Sequence, residues 1–125
     1  MHFPPAIIAH SLADINRAAA CARPFTVLSA PGAALYAGCL WWRELIIASN
    51  FTGPSFLDCA DAPGRAVEAL RLGLPGLILA ETLPAFAAVA EIAAQNGAML
   101  LTTRPPALDL AAPDAGYRLT RWLGG

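Results

Sequence analysis

Five short stretches of the chain, AIIAH at 6–10, TVLSA at 26–30, SFLDC at 55–59, GLILA at 76–80 and AMLLTT at 98–103, are apolar almost without a break. A strand with one wet face alternates apolar and polar residues, whereas a continuous apolar run of this length suits a strand covered on both faces. The runs start 20, 29, 21 and 22 residues apart. That spacing has room for a strand, a helix and two short connections each time. Alternation of this kind calls for parallel strands joined by right-handed helical crossovers.

The intervening segments carry helix signals. SLADINRAAACA opens on Ser11, a good N-cap, with Asp14 at the third helical position. It ends before Arg23-Pro24, because proline disfavours helix in the residue ahead of it. A second helix is expected from Gly32 to about Asn50, closed by Gly53 and Pro54. The third is expected to be capped by Asp61, with Pro63 in its first turn and Gly73 at its left-handed end. The fourth is expected to be capped by Thr82, with Pro84 in the first turn, and to stop at Gly97.

The resulting fold class is α/β: a three-layer, flavodoxin-like sheet of five parallel strands, (βα)4β, with helices on both faces. The alternative is half of a β/α barrel with strands in sequential order, since order is not written in local sequence. Residues 1–125 read as a single domain in either case. Residues 107–125 form a tail broken by Pro113, in which Leu119, Trp122 and Leu123 are spaced like one face of a short helix. Trp122 must pack on something, either its own domain or a partner.

Composition bears on partners. Hydrophobic residues are 57% of the chain and charged residues only 14%, so part of the surface is expected to be covered by a second copy in a homodimer. The longest apolar candidate, GAALYAGCLWWRELIIASN, is interrupted by Arg43 and Glu44, and no run reaches the roughly 20 residues that span a bilayer; no membrane partner is expected. The net charge is −1, and the eight basic residues, all arginine, are scattered singly, so no nucleic acid partner is expected either. MHFPPAIIAHSL lacks the basic and apolar regions of a secretory signal. Cys21, Cys39 and Cys59 are too few and too far apart for a disulfide framework or a metal site. These features point to a cytoplasmic location, and NFT at 50–52 is read as a chance glycosylation match.

The helix expected over 32–50 is apolar nearly all round. Adjacent residues on a helix point about 100° apart, so Trp41 and Trp42 cannot face the same core. One of them is a candidate interface anchor, as is Trp122. The competing reading buries both under the tail.

Ligands of open parallel sheets bind beyond the carboxyl ends of the strands. The residues collected there are candidate ligand-binding positions: His10, Ser29, Gly32, Asp58, Cys59, Asp61, Glu81 and Arg104. Asp58 is the most informative, because a carboxylate at the end of a buried strand needs a partner; Arg104 and Arg65 are the candidates. Cys59 reads as a small buried hydrophobe as well as a thiol, and His10 as a hydrogen-bonded structural residue as well as a base. Gly32, in SAPGA, opens a helix whose amides could hold an anion. Patterns for nucleotide binding and for a serine nucleophile are absent, and neither cofactor nor metal is expected.

TVLSAPGAALYAGCLWW and FLDCADAPGRAVEALRLGLPGLIL resemble an uncharacterised family of short bacterial α/β proteins, over residues 6 to 110 or so. That family implies a fold and no established activity. DAPGRAVEALRLGLPGLIL is also similar to one βα unit of aldolase-type barrels, which use a Schiff-base lysine or a metal; this chain has no lysine. The function expected is therefore a non-catalytic module that homo-oligomerises and takes a small, anionic ligand or a protein partner. The alternative is a small enzyme acting on an anionic metabolite, with Asp58 as acid or base beside Glu81 or His10.

Overall fold

All five apolar runs are strands in the computed structural model, which describes residues 2–124. They are β1 (Ala6–Ile8), β2 (Thr26–Leu28), β3 (Ser55–Asp58), β4 (Gly76–Ile78) and β5 (Met99–Leu101). The expected tail adds a sixth, β6 (Ala107–Asp109), so the sheet has six strands and not five. Every pairing is parallel, in the order β5-β4-β3-β2-β1-β6.

The helices are α1 (Leu12–Ala19), α2 (Ala33–Tyr36), α3 (Cys39–Ser49), α4 (Pro63–Arg71), α5 (Phe86–Gln95) and α6 (Ala115–Trp122). Ser11 caps α1 as expected, its Oγ accepting from the Asp14 N–H at 3.3 Å. Gly73 and Gly97 take the left-handed conformation after α4 and α5. The single helix expected over 32–50 is two, broken by Gly38 at φ +92°. Two expected caps are not caps: α4 starts after Ala62 and α5 after Ala85, neither with a side-chain cap, so Asp61 and Thr82 stand outside the helices.

Strand residues divide by parity, as pleating requires. Ile7, Val27, Leu57, Leu77, Leu100 and Leu108 face one cluster, which also holds the buried residues of all six helices. Ala6, Leu28, Phe56 and Ile78 face a second, smaller cluster with Ile8, Met99, Leu101 and Ala107, joined by Phe3. The helices therefore lie on one face of the sheet, not on both. In place of the flavodoxin-like order, with β1 between β2 and β3, β1 to β5 follow one another in the sequential order of the alternative, and β6 joins at the other edge of β1. A right-handed crossover that always steps to the next strand in the same direction keeps returning its helix to the same side.

The β5–β6 link bends this sheet. Six strands laid flat put β5 and β6 roughly 24 Å apart, at about 4.8 Å per step. The chain from Leu101 to Ala107 spans at most about 21 Å, and it must also return from the end of one strand to the start of the other. The sheet curls accordingly, and residues of both edge strands meet in the small inner cluster. The tail closes onto its own domain: the Trp122 Nε1 donates to the Ala6 carbonyl at 2.7 Å, and Leu119 and Leu123 are buried.

Candidate functional site

The carboxyl ends of the neighbouring parallel strands β3, β2, β1 and β6 form one rim. By alternation Asp58 lies on the same face of β3 as Phe56, and Asp109 on the same face of β6 as Ala107, so both carboxylates emerge at the end of the inner, concave face. The TTRPP link reaches this face from β5 and brings Arg104 to it.

Asp58 is buried and uses both carboxylate oxygens. Oδ1 accepts from the Ala60 N–H at 2.7 Å, and Oδ2 accepts from Arg104 Nη1 at 2.8 Å. Arg104 Nη2 donates to the Ser29 carbonyl at 2.9 Å, while Ser29 Oγ accepts from the Asp58 N–H at 2.9 Å and donates to the Ala30 carbonyl. Ala60 sits in the left-handed region at φ +51°, an unfavourable place for a residue with a Cβ; the carboxylate bonded to its N–H helps hold it there. The partner expected for Asp58 among Arg104 and Arg65 is Arg104, since Arg65 pairs instead with Glu68 at 3.0 Å.

A second pair stands beside this knot. His10 Nε2 lies 2.7 Å from Asp109 Oδ1, with both side chains more than a third exposed. The His10 N–H donates to Asp14 Oδ2 at 2.8 Å, and Asp109 Oδ1 also accepts from the Ala111 N–H at 2.9 Å. Burial works to raise the Asp109 carboxyl; the Ala111 N–H, His10 and the field of Arg104 outweigh it and hold the group below the ordinary carboxylate range. The pair leaves the other imidazole nitrogen of His10 unused among the described residues.

The remaining candidates do not join this cluster. Glu81 and Asp61 are exposed and make no ion pair or side-chain hydrogen bond among the described residues. Cys59 is fully buried on the helix side, where it packs in the core, and burial first, then Cys39 and Asp58, push its thiol up to about 12. Gly32 does take a left-handed turn at φ +67°, but it opens a helix of four residues, too short to concentrate a dipole on an anion. Of the interface candidates, Trp42 is fully buried, Trp41 is half-buried against it with ring centroids 5.8 Å apart, and Trp122 is spent on Ala6. Trp42 is therefore core, because its phase on α3 points it at the sheet.

Asp109 was missed by sequence reasoning. Its signal was the alternation Leu108, Asp109, Leu110 directly after Pro105-Pro106, too short to stand out in a proline-broken tail. Among the described residues no group of three or more His, Cys, Asp or Glu side chains could hold a metal ion, and no helix is long and apolar enough to cross a membrane. At the opposite end of the strands an open cleft of about 460 Å³ is lined by apolar groups, chiefly Phe3, Pro4, Pro5, Pro105, Pro106 and Trp122. Comparison with family models, with curated proteins and with solved structures finds no match to the chain.

Proposed function

We propose that the protein is a non-catalytic α/β module of the bacterial cytoplasm that acts by association, first of all with a second copy of itself. The observation that carries this reading is the closure of Asp58 on Arg104, Ala60 and Ser29. The acid best placed for chemistry is held as the structural partner of Arg104, and Glu81 stands apart from it in the open. A general base needs an accessible lone pair within reach of its substrate, which this carboxylate does not offer. What the surface does offer is apolar area on α2 and α3. Sedimentation of the purified chain across a concentration series tests the proposal: a dimer supports it, and a monomer at every concentration overturns it.

A second reading, a small enzyme acting on an anionic metabolite, is favoured by His10 and Asp109 more than by Asp58. An exposed imidazole oriented by a carboxylate is the usual form of a general base, and Arg104 supplies positive charge nearby. Thermal-shift measurements with phosphorylated metabolites separate the readings. A ligand at a hundred times its dissociation constant adds about 2.7 kcal/mol of stability; a shift lost in H10A and kept in L40E supports the enzyme.

A further inference from the structure

The cleft at the amino ends of the strands is built from parts that are already held in place. Four of its lining residues, Pro4, Pro5, Pro105 and Pro106, are prolines, whose ring fixes φ and which carry no N–H. The Pro4 and Pro5 carbonyls accept from the hydroxyl and the N–H of Thr26, at 2.8 and 2.9 Å, and are spent on β2. Phe3 stands edge-on to Phe56 with ring centroids 5.2 Å apart, and the Trp122 Nε1 is spent on the Ala6 carbonyl. The prolines give the wall apolar surface without donors, and the volume of about 460 Å³ falls within the range of small-ligand pockets.

A second hollow, of about 490 Å³, opens along α6 between Tyr117, Arg118, Arg121 and Trp122. Residues four apart share a helix face, so Tyr117 lies beside Arg121 and Arg118 beside Trp122. Trp122 lines both hollows, which makes them neighbours around one indole. Their chemistry differs. Arg121 makes no ion pair with any described residue, and Arg118 reaches Asp114 only at 3.6 Å, with both side chains more than half exposed. So exposed a pair contributes little, and both guanidinium groups are open to an anion. Among the described residues no carboxylate lines either hollow.

We infer that the two hollows form one binding site for a monomeric amphipathic anion, a medium-chain carboxylate whose alkyl tail lies in the proline cleft and whose head pairs with Arg121. A planar guanidinium matches a carboxylate through two parallel hydrogen bonds. The tail gains by leaving water, and walls already fixed lose little freedom when it binds. An unbranched chain bends around the edge of the indole, where a rigid ring system does not. The site lies at the opposite end of the strands from His10 and Asp109 and is independent of self-association.

Calorimetric titration with sodium octanoate tests it, with circular dichroism as the check that each variant is folded. Affinity is expected to rise from hexanoate to octanoate to decanoate by up to about fourfold per methylene. Octylammonium, with the same tail and the opposite charge, is expected to bind about tenfold more weakly or worse. Arg121→Glu and Pro106→Glu, both at exposed positions, are each expected to lose about tenfold or more. The first repels the head, and the second sets a charge among the contacts of the tail. His10→Ala is expected to bind like wild type. Octanoate binding that is lost in His10→Ala and kept in Arg121→Glu moves the ligand to the carboxyl rim and overturns the site. Octanoate that does not bind, or octylammonium that binds equally well, overturns it too. So does sedimentation of the chain with vesicles of equimolar phosphatidylcholine and phosphatidylglycerol in the absence of octanoate binding, since the arginines then serve a membrane surface.

Discussion

Arg104 and Asp58, 46 residues apart in the chain, meet at 2.8 Å on the concave face of the sheet, and the same guanidinium holds the Ser29 carbonyl at 2.9 Å. One side chain thereby fastens the β5–β6 link to the ends of β2 and β3. This pair lies at the rim where open α/β sheets usually bind their ligands.

Removing one partner of this pair exposes its worth. Asp58→Ala leaves Arg104, with a side chain only 23% exposed, facing an empty acceptor site and Ala60 without its tether. A loss of about 3–5 kcal/mol is expected in urea unfolding. Asp58→Ala with Arg104→Ala should cost clearly less than the sum of the single changes, since the two are coupled. Additive losses would mean that the pair contributes nothing beyond its separate contacts.

Cys39 and Cys59 set a limit at high pH. Burial raises both thiols to about 12, with Glu68 adding to Cys39, against about 8.5 for a free thiol. Between those values the unfolded chain has lost protons that the folded chain keeps, so stability falls as pH rises through that window. Denaturant midpoints measured from pH 8 to 11 should decline, and less steeply in C59A. Alkylation of the native protein should modify Cys21, which is only partly covered, well before the buried pair.

Asp109 acts at the other end of the scale. Its carboxyl titrates below the ordinary range when folded, so the stability it adds is present above roughly pH 4, the unfolded value, and is lost as pH falls through the folded one. Asp109→Asn should flatten the acid limb of the stability curve and release His10. An acid limb identical to that of wild type would show that the β1–β6 tie carries no weight.

Gly76 opens β4 with no room to spare. A Cβ there would collide with the Ser55 carbonyl and stand 2.7 Å from the Phe56 ring. Neither neighbour can yield easily, one being backbone of β3 and the other a fully buried ring. Gly76→Ala should therefore lose about 1–3 kcal/mol or more, read as a lower unfolding temperature. A neutral result would mean that the β3–β4 spacing is looser than described.

Local sequence was enough for what local physics controls. The five greasy runs became strands because burial on two faces leaves no other place for them, and Ser11 caps α1 because its hydroxyl reaches an amide three residues away. Asp61 and Thr82 look equally suited to capping, yet their helices begin after Ala62 and Ala85. Helix starts shift by a few residues when packing favours it, and neither residue type can prevent that.

The rest was decided by contacts between distant parts of the chain. The order of the strands depends on which neighbour each crossover reaches, and that choice leaves no mark on any single segment. Leu108 and Asp109 form a strand because β1 offers an unpaired edge for them, not because three residues favour it. Which tryptophan is core follows from how α3 is turned against the sheet. The amino-acid sequence by itself determined where the first five strands lie and that they run parallel, because burial acts residue by residue. Only the tertiary structure decided that the sheet curls and that Arg104 closes on Asp58, because a link too short to cross a flat sheet forces its edges together, and that β6 pairs with β1, which sets Asp109 beside His10.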